Sequence, residues 1–323
     1  MANIANRAYA AAHFALELDG KDEVGLFRSL EGGGVKADVM TYQYGANEQT
    51  KDFTRFRQLG KPKFEDIKLQ VGMAMSQTFY KWVGEFVAGN GSRKNGAVVA
   101  ADFYYNERAR RNFKAAMIKE LTFPKLDAQD KNAIYMGITL AVEDIEFLKG
   151  TGKKLDVPKG FNAQKLWTAN NFSFTVDDGK LKDACHRVTK IDSFTIKQNT
   201  VEYHAGGYKA AIKTATPVEF PNLTFYVPEA DAQPFMEYMS RTVGFGGGGP
   251  GNVPKDREAS VLNGEIQTFD AENHPLMSVQ FKGADIVSIT PDRSDATSEE
   301  VKQVKIELYT EKMTIDYPAM ELE

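Results

Sequence analysis

Apolar side chains recur at every second position through Phe14, Leu16 and Leu18, and the run stops at Asp19-Gly20. That alternation predicts a half-buried strand closed by a turn. Val24 to Leu30 reads as a short second segment, broken by Gly32-Gly33-Gly34. Val35 to Tyr44 alternates again and predicts a long strand. Gly45 to Pro62 is polar, has few core residues and predicts a long exposed excursion. Phe64, Ile67, Leu69 and Val71 mark a third strand. The period then changes. Phe79, Trp82, Val83 and Phe86 share one face of a helix predicted from Gln77 to Val87. After a glycine-rich loop at 89–96, Val98 to Tyr105 and Arg111 to Leu121 predict a hairpin turning near Asn106-Glu107-Arg108. Ile134 to Phe147 predicts a closing strand region.

The same order then returns. Phe14 to Gly20 is matched by Phe172 to Gly179, an offset of 158. Phe64 to Leu69 is matched by Phe220 to Phe225 (offset 156), and Phe79 to Val83 by Phe235 to Met239. Asp127-Ala128 is matched by Asp295-Ala296 (offset 168), and Ile138 to Leu140 by Ile306 to Leu308. The second copy predicts strands at Phe172–Val176, Phe194–Tyr203 and Phe220–Val227 and a helix at Ala232–Val243. A repeat of this length is a duplicated domain. The predicted division is a first unit at 1–148, a linker at 149–166 and a second unit at 167–323. The linker holds Gly150, Gly152, Pro158 and Gly160 among lysines. Each unit reads as mainly β with one helix, which suits a small barrel or sandwich with the helix packed at one end.

With 323 residues the chain has room for two such cores. Its net charge of −4 and pI of about 5.8 give no global basic field for nucleic acid. The single Cys185 excludes an intrachain disulfide framework and a cysteine-based zinc site, and fits a reducing compartment. No apolar run reaches about 18 residues, so no membrane span is expected. The first ten residues are too polar for a signal peptide.

No catalytic set emerges. The glycine run 244–251 follows a helix and lacks a Gly-Lys-Ser/Thr ending, so it reads as a connector and not a phosphate loop. Cys185-His186, taken as neighbours in a strand, would point to opposite faces. His13, His204 and His274 lack metal-ligand spacing. Asp127 and Asp295, and Glu143 and Glu311, recur without a partner nucleophile, and the Asp-Ala segments read as turns or caps. Arg108-Ala109-Arg110-Arg111 reads as a solvated hairpin tip or a protein-docking patch. Its counterpart, Ala271-Glu272-Asn273-His274, is not basic. No cofactor or metal is expected, and no enzymatic activity.

Taken together, each unit resembles the tail-tube proteins of contractile phage tails and of related extracellular injection systems. The resemblance rests on order: a strand ending in Asp-Gly, a strand ending near a tyrosine, a long polar excursion, a strand like Phe64–Leu69, and a Trp- or Tyr-bearing helix. Ser294-Asp295-Ala296-Thr297-Ser298-Glu299-Glu300-Val301, continuing through Ile306-Glu307-Leu308 to Met313-Thr314-Ile315, is similar to the end of the family domain. Tyr42-Gln43-Tyr44-Gly45 and Trp82-Val83 carry the best match in the first unit.

The resemblance implies a β-barrel-like domain that builds six-membered rings. These rings stack through the excursion after the second strand, inside a contractile sheath. The corresponding segments are Gly45–Pro62 and Ala205–Thr216, so the implied ring-stacking residues are Gly45, Lys51, Arg55, Arg57 and Lys61, with Gly206, Tyr208 and Lys213. Implied partners are further copies of the chain, the sheath, and baseplate and tape-measure proteins. DNA or effectors would pass through the lumen. A mildly acidic wall would repel phosphate, so DNA would pass without specific binding. The implied location is a virion or phage-like particle assembled in the host cytoplasm.

A single family domain is about half this chain. The doubling predicts three chains per pseudo-sixfold ring, with six chains per ring as the alternative. An extended linker of this length reaches at most ~60 Å, enough to join neighbouring domains. A baseplate hub or tube initiator of the same fold is the alternative role.

Overall fold

The computed structural model describes residues 10–44, 54–73, 75–155, 167–207, 210–244, 261–292 and 301–317. In the first unit β1 (His13–Leu18) turns into β2 (Lys21–Phe27) through Asp19 and Gly20, both at positive φ. Two such residues form the tight hairpin turn whose twist matches that of the flanking strands. β3 (Ser29–Gly32) and β6 (Ile67–Val71) follow, then α1 (Gln77–Val87), β7 (Lys94–Ala101), β8 (Glu107–Phe123), β10 (Met136–Ala141) and β11 (Asp144–Lys149). The sheet order is β2-β1-β7-β8-β10-β6-β3, with β11 also on β8. Consecutive strands β2 and β3 lie at its two ends, so the sheet curls into a nearly closed barrel. The Ser76 hydroxyl accepts the Phe79 amide at the start of α1, which buries Phe79, Trp82, Val83 and Phe86 as the pattern predicts, and Tyr80 and Val87 as well.

The second unit repeats this plan. β12 (Phe172–Val176), β17 (Leu262–Phe269), β18 (Pro275–Pro291), β19 (Gln303–Tyr309), β16 (Leu223–Pro228) and β13 (Lys190–Ile191) lie in that order, with β20 (Lys312–Asp316) on β18. Helix α3 (Gln233–Val243) ends at Gly244, whose left-handed backbone caps it. The two barrels share a fine detail. A Cβ at Gly96 would lie 2.1 Å from the Glu17 carbonyl oxygen and 2.7 Å from the Phe113 ring. At Gly264 the same distances are 2.2 Å to Thr175 and 2.4 Å to Phe281. In both units a strand glycine therefore makes room for an aromatic ring lying across it.

Four expectations change. The excursion after β4 (Val35–Tyr44) contains a strand, β5 (Thr54–Phe64), which pairs with β4 as a separate two-stranded ribbon. From Arg57 to Leu59 it is exposed on both faces, so there it lacks the alternation that announces a half-buried strand. β14 (Phe194–Tyr203) and β15 (Ile212–Glu219) form the matching ribbon. The closing region of the first unit is two strands, β10 and β11. Arg108 to Arg111 lie within β8 and not at the hairpin tip, and the half-buried Arg110 bonds to Glu17 and Glu107. Cys185 closes a short helix, α2 (Lys182–Cys185), instead of lying in a strand.

Most buried apolar side chains of both units form one continuous core. A smaller cluster of Ala15, Ala97, Val99 and Ala101 is covered by Leu155, where residues 150–155 run back along the β7–β8 hairpin.

Candidate assembly interface

The joint between the two units is itself a β-pairing. β14, from the second unit, adds antiparallel to the end of β8: Phe194 faces Phe123, Thr195 faces Thr122, Ile196 faces Leu121 and Lys197 faces Glu120. An exposed strand end offers unpaired N–H and C=O groups, and another strand satisfies them. Side chains reinforce the pairing. The Phe123 and Phe194 rings stack with centroids 4.7 Å apart, and the Thr122 and Thr195 hydroxyls lie 3.0 Å apart. In the reverse direction, β9 (Leu126–Asp127) of the first unit pairs with β13 of the second.

Two flanking contacts complete the joint. Tyr317, just after β20, packs its ring on Tyr80 of α1 with centroids 4.1 Å apart. Burial pushes both phenols well above their ordinary pKa. Glu143, between β10 and β11, accepts the Lys213 amide of β15 at 2.8 Å and an Arg93 guanidinium N–H at 2.9 Å. Arg93 also donates to the Lys213 carbonyl. Glu143, which the sequence marks only by its recurrence, is therefore a junction residue.

The residues expected in ring-stacking loops are dispersed. Gly45, Lys51 and Tyr208 lie outside the described residues. Arg55, Arg57 and Lys61 belong to β5, with Arg57 and Lys61 exposed, and Gly206 is exposed in the turn after β14. Lys213 is buried in the joint, its ammonium 3.6 Å from Asp66. Phe123, Phe194, Tyr80 and Tyr317 were not singled out from the sequence. The available signal was divergence between the copies: Phe194, Ile196 and Gln198 stand where the first unit has Gly33, Val35 and Ala37.

The remaining polar clusters have structural explanations. Asp270, Glu272 and His274 bring ligand atoms within 4.8 Å of one another. Asp270 accepts the amides of Glu272 and His274, as Asp102 accepts those of Tyr104 and Asn106 in the first unit. The group is thus the same Asx-turn at both β-hairpins. Cys185 is buried, and burial pushes its thiol up to about 12. His13 stacks on Tyr105 with ring centroids 3.8 Å apart.

A family model described as T4-like virus tail tube protein gp19 matches residues 10–146 and again 168–314. The chain belongs to this tail tube family. It carries two tandem tail-tube domains, and its role is structural, as a tube component of a phage tail or phage-like particle. No curated protein sequence matches the tail tube chain. Among solved structures it is similar to a chain of the anti-feeding prophage tube-terminating cap, at 21% identity over 52% of this chain and 97% of that one, with a TM-score of 0.36. A chain of the PVC extracellular contractile injection system sheath-tube complex, in the extended state, shows 17% identity over 50% and 99%, with a TM-score of 0.36. Hcp1 of E. coli EAEC 042 shows 15% identity over 46% and 92%, with a TM-score of 0.27.

Proposed function

We propose that three chains of this tail tube protein form one ring of six units, divided within 149–166, and that the rings stack into a hollow conduit. The observation that carries this reading is the β8–β14 pairing: within one chain the two units are joined by strand addition, as neighbouring ring units would be. A head-to-tail contact repeated by a fixed rotation closes into a ring when the number of units fits that rotation. In this reading the units alternate around the ring, so its symmetry is threefold in chains and only approximately sixfold in domains.

Stacking falls to the two ribbons. A two-stranded ribbon alone in water is marginal. Yet β4 and β5 expose Val39, Met40, Tyr42 and Leu59, and β14 exposes Val201 and Tyr203. Such faces suit contact with the next ring. The sheath would surround the tube, baseplate and tape-measure proteins would meet its end and its lumen, and DNA or effectors would pass without specific binding. Assembly would take place in the host cytoplasm, and no step calls for catalysis.

Native mass spectrometry of isolated rings tests the count. Three chains of 35.9 kDa give about 108 kDa per ring. A ring of twice that mass overturns the three-chain reading.

A further inference from the structure

The in-chain joint buries one face on each unit, and among the described residues nothing covers the opposite faces. Register shows which residues correspond. Thr41 faces Arg57 as Glu202 faces Lys213, and the ribbons bulge at the same place, after Ala37 and after Gln198. Glu120 faces Thr139 as Ser288 faces Glu307, again with a bulge beside the pair. The units can therefore be compared position by position.

On the strand that is added, Ile196 is fully buried while its counterpart Val35 is 50% exposed. On the receiving side, Ala141 is fully buried while Tyr309 is 47% exposed. On the helices, Val87 is 4% exposed while Val243 is 59% exposed, and Tyr80 is buried while Met236 is exposed. The element that covers α1 is the end of β20. Its counterpart β11 carries exposed Phe147 and Leu148. Six exposed large apolar side chains, Val35, Phe147, Leu148, Met236, Val243 and Tyr309, thus lie where the partner unit would sit. The backbone agrees. Among the described residues Ser288 to Pro291 pair only with β19, whereas Glu120 to Thr122 lie between β10 and β14. β3 ends its sheet, whereas β13 is followed by β9.

We infer that the first unit of one chain docks on the second unit of another copy by the register of the in-chain joint. β4 adds to the open edge of β18, so that Gly34 faces Thr290, Val35 faces Ile289 and Lys36 faces Ser288 of the neighbour. Phe147 and Leu148 cover the Met236–Val243 face of α3, and Glu311 meets the β5 backbone at Arg57, as Glu143 meets the β15 backbone at Lys213. This rests on the tube reading and specifies its contact.

The second joint is not a full copy of the first. Gly33 and Pro291 stand where Phe194 and Phe123 stack, and Gly34 stands where Thr195 meets Thr122. The chain-to-chain joint keeps the strand pairing and the apolar cover but lacks the aromatic clasp, so rings part into chains before chains part into units. Lys36 and Asp38 on the open strand, and Pro291 at the end of the receiving one, keep the free edges from indiscriminate pairing.

Cysteine cross-linking tests the register. Directly paired strand residues have Cα atoms about 4.5–5.5 Å apart, within disulfide reach. Tubes of Val35→Cys/Ile289→Cys protein, once oxidised, should give linked species on non-reducing gels that stop at three chains. Val35→Cys/Thr290→Cys should link at least ~10-fold less, since adjacent strand positions face opposite sides. Linkage that stops at six chains keeps the joint and overturns the three-chain ring. Tubes that form without in-register linkage, or that link better off register, overturn the joint. Hydrogen exchange on the wild-type chain gives an independent readout if the variants do not assemble. Amides at 35–38 and 287–290 should slow by ~10-fold or more on tube formation. Unchanged exchange at both segments overturns the joint.

Discussion

Replacing Phe194 by alanine should loosen the two units from each other while leaving each barrel intact. Phe194 is 7% exposed and Phe123 2%, so both rings have given up nearly all their contact with water. Truncating a buried Phe costs about 3–5 kcal/mol. The stacked pair supplies about 0.5–1.5 kcal/mol of that beyond burial. The double variant Phe123→Ala/Phe194→Ala should therefore cost less than the two single changes together, by about 1 kcal/mol. Urea unfolding of the unassembled chain, with hydrogen exchange, measures both effects. The Thr195-Ile196-Lys197 and Glu120-Leu121-Thr122 amides should lose protection together, because they pair with one another. A single-variant cost under about 1 kcal/mol would refute the clasp, as would additivity within about 0.3 kcal/mol.

Three further outcomes follow from local chemistry. Burial works against the charged form of Asp102, but bonds from the Asn106 and Tyr104 amides and from Arg108 outweigh it and hold the carboxyl at about 2. A folded value below the unfolded one, about 3.9, gives stability above pH ~4 that is lost as the pH falls towards 2. The melting difference between wild type and Asp102→Asn should therefore shrink over that window; a constant difference contradicts the assignment. Gly96→Ala and Gly264→Ala should each cost about 1–3 kcal/mol in thermal melts, by overpacking against a backbone oxygen and a ring; unchanged melting at both would mean that the rings do not lie across the glycines. Cys185 should resist thiol reagents at pH 8 until the chain unfolds, and fast labelling of folded protein would contradict its burial.

Where the chemistry is local, the sequence was legible. Alternation located β4 to the residue, the repeated order located β12 and β14, and helical spacing located α1. The repeat, read as ordered landmarks, matches the two stretches of family similarity. What escaped sequence reading depends on neighbours far along the chain. β5 is exposed on both faces from Arg57 to Leu59 and rich in polar residues, so its pattern resembles a loop. Arg110 lies within β8 because Glu17 and Glu107 receive it there. Lys213 and Arg57 occupy equivalent register positions, yet Lys213 is buried and Arg57 exposed, because only the second ribbon has the first unit to lie against. The candidate site was thus visible as two divergent copies of one surface, while its geometry was set by the joint between them.

The ring itself is tested most directly by electron cryo-microscopy of assembled tubes, with the symmetry left unimposed. Three chains per ring are predicted, with density alternating between first and second units and β4 of each chain beside β18 of the next. Six whole chains per ring, or second units lying outside the tube wall, would contradict the account.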